Sequence, residues 1–234
     1  MNYKNTLLKR FDTESIGRLR LRRIDFKVGQ EIERTGEPIR QLFFLEEGMA
    51  SMTTTFKDGG QVEVGMFGFE SVIGISALMG TKLSLNRVYT QIAGFGYSCT
   101  LESAKSEFVH STVFQRLALR YVQAQLVQAM QSAGCNAIHN FDQRLSRWLL
   151  ICADRVNTDH FKMSQEFLSH MLGVRRATVA VTAAQLKKEK LIEYTRGEIK
   201  IVNRAGLEAR ACECYQIIKS HLKDFEAFDT AEMA

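Results

Sequence analysis

The chain has 234 residues, 45% of them hydrophobic and 24% charged, enough to build a real core in one large domain or two ordinary ones. Its formal net charge is +5 and its isoelectric point about 9.0, which favours an anionic partner. There is no apolar run of about 18 residues, and the opening "MNYKNTLLKRFD" lacks the apolar region of a signal peptide. No membrane partner and a cytoplasmic location are therefore expected.

The positive charge is unevenly placed. Residues 1–40 hold 10 Lys/Arg against 6 Asp/Glu, residues 41–154 hold 8 against 9, and residues 155–223 hold 13 against 7. The last eleven, 224–234, carry none against 4. An anionic partner is thus expected toward the C-terminal third. Cys99, Cys135, Cys152, Cys212 and Cys214 are scattered and odd in number, and are expected to be reduced in the cytoplasm.

In chain order, Tyr3 to Arg23 is predicted to be a polar, basic helix. From about Phe26 to Glu107 the chain reads as short strands: "RQLFFLEEG", "MASMTTTF", "QVEVGMFG" and "RVYTQIAGFGYSCT" are rich in β-branched and aromatic residues. Gly48, Asp58-Gly59-Gly60, Gly65 and Gly94 punctuate them, and "KDGGQ" signals a hairpin. Evenly spaced short strands predict a sandwich or small barrel.

The period then changes. Ser111 to His139 contains no Pro and only Gly134, and predicts one long helix. Leu117, Tyr121, Ala124 and Gln128 share one face. Leu119, Val122, Leu126, Met130, Ala133 and Ala137 share another. Two apolar stripes need two packing partners: the β-domain, and the same helix of a second subunit. Leu119, Val122, Leu126, Met130 and Ala133 are thus the expected homodimer seam. Asn140-Phe141-Asp142 offers a break and a new N-cap, after which "DQRLSRWLLICADRV" is amphipathic, with Leu145, Trp148, Leu149 and Cys152 inward.

Ser164 is a candidate N-cap with Glu166 in the first turn, and Phe167, Leu168, Met171 and Leu172 form the apolar face of a short helix. Gly173 ends it, since glycine tolerates the left-handed conformation of a tight turn. A second helix starts near Arg175-Arg176, with Val179, Ala183 and Leu186 inward. This is helix–turn–helix grammar, with the second helix free for a DNA major groove and two arginines at its entering end. Arginine there can read guanine or bind phosphate. "KLIEYTRGEIKIV" then predicts strands Ile192–Tyr194 and Glu198–Val202 around Arg196-Gly197, a β-wing with a basic tip.

With these features the chain resembles the Crp/Fnr family of bacterial transcription regulators. The likeness runs over nearly the whole chain: the glycine-punctuated strands, "VIGISALMG" at Val72–Gly80, the long helix, and above all "MSQEFLSHMLGVRRATV" at Met163–Val179. The resemblance implies an α+β chain. A β-roll sensor (jelly-roll-like) would span 1–110, a dimerisation helix 111–140, a winged helix-turn-helix 141–207 and a helical extension 208–234. It implies a homodimer on a pseudo-palindromic operator in double-stranded DNA, and allows a contact with RNA polymerase. Ser164, Gln165 and Thr178 match the family's phosphate-contacting positions, and Arg176, Ala177, Ala180 and Val181 its base-reading positions. Arg175, Thr182, Arg196 and Lys200 complete the expected DNA-facing set. The best-known members carry Glu at Ala177 and Arg at Val181, so a different operator is expected.

The sensor departs further. Cyclic-nucleotide binders of the family carry Gly-Glu at Gly74-Ile75 and Arg-Ser near Asn86-Arg87, and a hydroxyl pair aligned with Ala129-Met130. The effector pocket is expected around Ile73, Gly74, Ile75, Asn86, Arg87, Tyr89 and Met130, and classical cAMP is not expected to be its ligand. The effector is left unidentified, and no cofactor and no metal site are expected. An iron–sulfur version needs clustered cysteines, usually near the N-terminus. His110 and His139 are the imidazoles a haem would need and read more simply as helix-end residues. "CECY" at Cys212–Tyr215 is read as helical, which would project Cys212 and Cys214 about 200° apart and keep one metal from taking both. Packing cysteines are expected there, with a redox sensor as the alternative. No catalytic constellation stands out, so no enzyme is expected. The competing function is a small-molecule or cyclic-nucleotide binding module whose helix-turn-helix contacts protein.

Overall fold

A computed structural model describes residues 2–57 and 59–227. Asp58 of the expected hairpin and residues 228–234 of the expected C-terminal extension lie outside the described residues. The chain divides into two compact units. The first comprises residues 1–52, 66–127 and 221–234, and the second residues 53–65 and 128–220.

The strands β1 (Arg22–Phe26), β2 (Glu31–Glu33), β3 (Gln41–Leu45), β4 (Met49–Thr55), β5 (Gln61–Phe67), β6 (Val72–Ile73), β7 (Arg87–Ile92) and β8 (Gly94–Thr100) make two four-stranded sheets. Their orders are β1-β8-β3-β6 and β2-β7-β4-β5. β8 is antiparallel to both neighbours, with Arg22 opposite Ser98 and Gln41 opposite Thr100. Phe26, Leu45 and Ile73 of one sheet meet Ala50, Phe67 and Val88 of the other in a common core. Side chains alternate along a strand, so "LFFL" in β3 is buried on both faces. Phe43 and Leu45 join this core while Leu42 and Phe44 join a second one. Gly94 is obligatory, because a Cβ there would come 2.1 Å from the Glu47 carbonyl oxygen.

The second core is helical. α1 (Thr13–Leu19), α2 (Leu101–His110) and α3 (Thr112–Ile138) contribute Leu19, Ala104, Phe114, Leu117, Ala118, Tyr121 and Ala124. At 27 residues α3 is about 40 Å long. Its predicted inward residues Leu117, Tyr121, Ala124 and Gln128 are all buried.

The expected helix over Tyr3–Arg23 is corrected. Only a 3-10 turn at Leu8–Arg10 and the seven residues of α1 are helical, and β1 begins at Arg22. Buried Asn5 explains the break. Its amide donates to the carbonyls of Leu45 and Ser71 at 3.0 and 2.9 Å, and its side-chain oxygen accepts from the backbone of Leu7 and Leu8. Asp12 then caps a fresh helix by accepting from Ser15 N–H at 2.6 Å. The segment is core-forming, with Leu7, Leu8, Phe11 and Leu19 buried.

In the second unit α4 (Phe141–Val156) starts at the predicted cap, where the Asn140 side chain accepts from Gln143 N–H at 3.2 Å. Leu145, Trp148, Leu149 and Cys152 are buried as expected. Trp148 Nε1 donates to Glu63 Oε1 at 2.8 Å, giving the indole N–H the partner that burial requires. β9 (His160–Lys162), α5 (Gln165–Leu172), α6 (Arg176–Lys188), β10 (Ile192–Thr195), β11 (Glu198–Ile201), α7 (Arg204–Arg210) and α8 (Cys214–Ala227) follow. The strands form a sheet in the order β10-β11-β9. No helix among the described residues is long and apolar enough to cross a membrane.

Candidate DNA-binding interface

Ser164 caps α5 as expected, its Oγ accepting from Phe167 N–H at 3.1 Å. Gly173 closes the helix at φ 65° and ψ 40°, with Val174 N–H bonded to the Ser169 carbonyl at 3.0 Å. Arg175 is extended, and α6 begins at Arg176. Burying Val179, Ala183 and Leu186 leaves Arg175, Arg176, Ala177, Thr178 and Val181 exposed and Ala180 and Thr182 half-buried. Val181 is 72% exposed, an apolar side chain with nothing on it.

The wing is a two-residue hairpin. Arg196 and Gly197 both have positive φ, 52° and 80°, the conformation whose twist suits a tight hairpin. Two bonds hold this tip beside the cap of α5. Met163 N–H donates to the Gly197 carbonyl at 2.6 Å, and Tyr194 Oη–H donates to the Met163 carbonyl at 2.8 Å. Burial pushes the Tyr194 phenol up to about 12, against the opposing charge of Arg176, so it stays a donor at neutral pH.

The result is a cleft of about 480 Å³ within the second unit, lined by Ser164, Gln165, Arg176, Ala180, Ala183, Ala184, Lys187, Tyr194, Arg196 and Gly197. Five residues singled out from sequence (Ser164, Gln165, Arg176, Ala180 and Arg196) meet there. Exposed Lys200 lies on β11 opposite Glu193 and does not line it. Sequence reading missed Lys187 and Tyr194. Lys187 was legible, since 176, 180, 183 and 187 recur at helical spacing on one face. Tyr194 becomes visible only with the strand pairing. Among the described residues no ion pair engages Arg175, Arg176 or Arg196. The first turn of α6 contains no acidic residue, so its arginines sit where the helix dipole disfavours cations. A bound anion would relieve that cost.

Of the residues of the expected effector pocket, Ile73, Gly74, Ile75, Asn86, Arg87 and Tyr89 belong to the first unit and Met130 to the second. Ile73 is buried in the core between the sheets, Ile75 packs with the helical core, and Met130 is 59% exposed. Gly74 has φ 90° and backs onto the Gln41 carbonyl. Asn86 is half-buried, its carbonyl accepting from Ser84 Oγ–H at 2.8 Å. Arg87 Nε donates to Glu31 Oε1 at 2.6 Å, and its guanidinium lies 4.9 Å from the Tyr89 ring centre. A cavity of about 510 Å³ in the first unit is lined instead by Glu31–Arg34, Glu37–Gln41, Phe43 and Ser84. His110 Nδ1 is 2.7 Å from the Ser106 carbonyl, a helix-end contact.

One expectation is corrected. Cys212 and Cys214 do not share a helix: α7 ends at Arg210, and α8 opens at Cys214. The extended Ala211 and the turn that follows turn both thiols toward Cys135 and His139. Burial and the neighbouring thiols push Cys212 up to about 12, and burial raises Cys135.

Residues 143–210 match the family model for the Crp-like helix-turn-helix domain. The global nitrogen regulator of Synechocystis is 22% identical over 183 residues, 74% of this chain and 80% of that protein. Among solved structures, FixK2 of Bradyrhizobium japonicum aligns with a TM-score of 0.71 at 16% identity, over 83% of this chain and 98% of that one. A CRP-family transcriptional regulator of Thermus thermophilus aligns with a TM-score of 0.67 at 20% identity, over 80% of this chain and 96% of that one. The chain thus has the fold of these regulators, and its residues 143–210 match a Crp-like helix-turn-helix domain.

Proposed function

We propose that this chain regulates transcription in the cytoplasm, as a homodimer that binds a pseudo-palindromic operator through α6 and the wing. The observation that carries this reading is the meeting of Arg176 and Arg196 with the capped start of α5 on one exposed cleft. In the proposal α6 enters the major groove. Arg176 reads a base edge, Ala177, Ala180 and Val181 form a smooth surface against neighbouring bases, and Ser164, Gln165, Thr178 and Arg196 hold phosphates. Arg175, Thr182 and Lys200 flank this surface. Ala177 and Val181 cannot form bidentate base contacts, so fewer positions per half-site are read by hydrogen bonds.

The dimer reading is supported by the outward stripe on α3, where Leu119, Leu126 and Met130 are 47%, 57% and 59% exposed. Val122 and Ala133 continue it. A small-molecule effector, if one acts, is not cAMP: Ile75 offers no carboxylate, and Arg87 is held by Glu31. Phe26, Leu45, Phe67, Ile73 and Val88 pack between the sheets, and the cavity beside them is lined by Glu31, Glu33 and Glu37 as well as Arg34 and Arg40, a lining that does not favour an anionic cyclic nucleotide.

Selection of the purified protein against random duplex DNA tests the proposal. The expected product is a two-fold-related pair of half-sites about one helical turn apart. Enrichment of no sequence, with protein partners captured through α6, would favour a helix-turn-helix used for protein contacts.

A further inference from the structure

We propose that Cys135, His139, Cys212 and Cys214 form a binding site for a single zinc-class metal ion. The four ligand atoms all lie within 4.8 Å of one another. Cys135 Sγ is 3.5 Å from Cys212 Sγ, and Cys214 Sγ is 3.6 Å from His139 Nδ1. A tetrahedral zinc with bonds of about 2.3 Å to sulfur and about 2.0 Å to nitrogen has ligand–ligand edges of roughly 3.5–3.8 Å. Small side-chain movements therefore close the set around one ion. A polynuclear iron–sulfur cluster spreads its ligands over several irons and needs them farther apart.

The local structure explains the convergence. Cys135 and His139 are one helical turn apart at the end of α3, so they present ligands from one face. Cys212 and Cys214 flank the start of α8, and the three cysteines form a buried cluster of their own. Purely packing thiols do not account for the surroundings. The other imidazole nitrogen, His139 Nε2, lies 3.3 Å from Glu213 Oε1, the carboxylate partner that orients metal-binding histidines. Gln131 Nε2 donates to Cys214 Sγ at 3.0 Å, a bond that suits a thiolate.

The charge balance also closes. A dication entering three thiols and a neutral imidazole displaces three protons to solvent and leaves one net negative charge. Arg144 and Arg147 of α4 both act electrostatically on Cys135 and supply compensating charge. The ion would fasten the start of α8 to the end of α3, making the seating of the C-terminal helix dependent on metal. This site shares no residue with the cleft of α6 and does not depend on the DNA-binding assignment.

The test uses the full chain purified under reducing conditions from zinc-supplied cells. Elemental analysis is expected to find about one zinc per chain, and cobalt exchange to give the intense visible bands of a tetrahedral thiolate site. Cys135→Ser and Cys212→Ser, checked for folding by circular dichroism, are expected to lose the ion. Glu213→Gln is expected to keep it with affinity lowered about tenfold. The cobalt spectrum of the unmutated chain guards against variants that merely misfold. Protein without metal and without a tetrahedral cobalt spectrum overturns the proposal, as does iron with inorganic sulfide, or a Cys135–Cys212 disulfide in place of the ion.

Discussion

Arg87 and Glu31 are joined across β7 and β2 by a 2.6 Å Nε–Oε1 contact, and Arg34 binds the same carboxylate. These two guanidiniums, Arg34 foremost, hold Glu31 below the usual carboxylate range. The cation that would meet a cyclic phosphate is already paired with a carboxylate, which it shares with Arg34. Calorimetry of the purified protein is therefore expected to show no micromolar binding of cAMP or cGMP. Glu31→Gln removes this carboxylate from Arg87 but is not expected to create binding. Ile75 still lacks the ribose acceptor, a loss of about 1.5–3 kcal/mol for a bond to a charged group. Micromolar binding coupled to operator affinity would overturn this.

Arg176 and Arg196 line one cleft but are expected to fail differently when replaced. Arg176→Ala is expected to cost about 1–3 kcal/mol on the operator and to relax one position in each half-site. Arg196→Ala is expected to weaken operator and scrambled duplex alike and to flatten the salt dependence. Competition titrations at two salt concentrations separate them. Equal losses on both DNAs for Arg176→Ala would remove it from base reading.

Leu126 is 57% exposed at the middle of the α3 stripe. Leu126→Glu would place an unpaired charge in the proposed seam and is expected to convert the dimer to monomers. Sedimentation equilibrium reads the outcome directly. An unmutated chain that is monomeric, or a variant that stays dimeric, would exclude this face.

Glu107 is buried, and both its oxygens accept from Arg18, at 2.6 and 2.8 Å. The Arg18 bonds lower its pKa below the ordinary 4.5, with burial opposing them. A carboxyl depressed in the folded state stabilises above its unfolded value, and the contribution is lost as pH falls through the folded one. Arg18→Met is therefore expected to lower the melting temperature most near neutral pH. The gap to the unmutated chain is expected to narrow as pH falls below about 4.5 and through the depressed folded value. A gap independent of pH would mean that the pair acts only through packing.

Gly173 combines φ 65° with a Val62 methyl 3.1 Å from where a Cβ would stand. Gly173→Ala is expected to cost about 1–2 kcal/mol from the left-handed conformation alone. The crowded methyl adds to that. Urea denaturation measures it, and an unchanged midpoint would show that the turn can relax.

Much of this molecule is local and was legible in sequence. Caps at Asn140 and Ser164, the glycine turn at Gly173, the inward triad Val179, Ala183 and Leu186, and the Arg196-Gly197 tip depend on residues within a few positions of one another. Short-range hydrogen bonds and helical period fix such features without help from the rest of the chain. Other features needed distant partners. Asn5 breaks the expected N-terminal helix because carbonyls 40 and 66 residues away compete for its amide. Tyr194 joins the cleft through a carbonyl 31 residues earlier. Arg87 is paired with a glutamate 56 positions away that also binds Arg34. Cys135 and Cys212, 77 residues apart, meet because α7 stops at Arg210, two residues before Cys212. Periodicity reports which face of an element is apolar; only the closed chain decides which polar groups share that space.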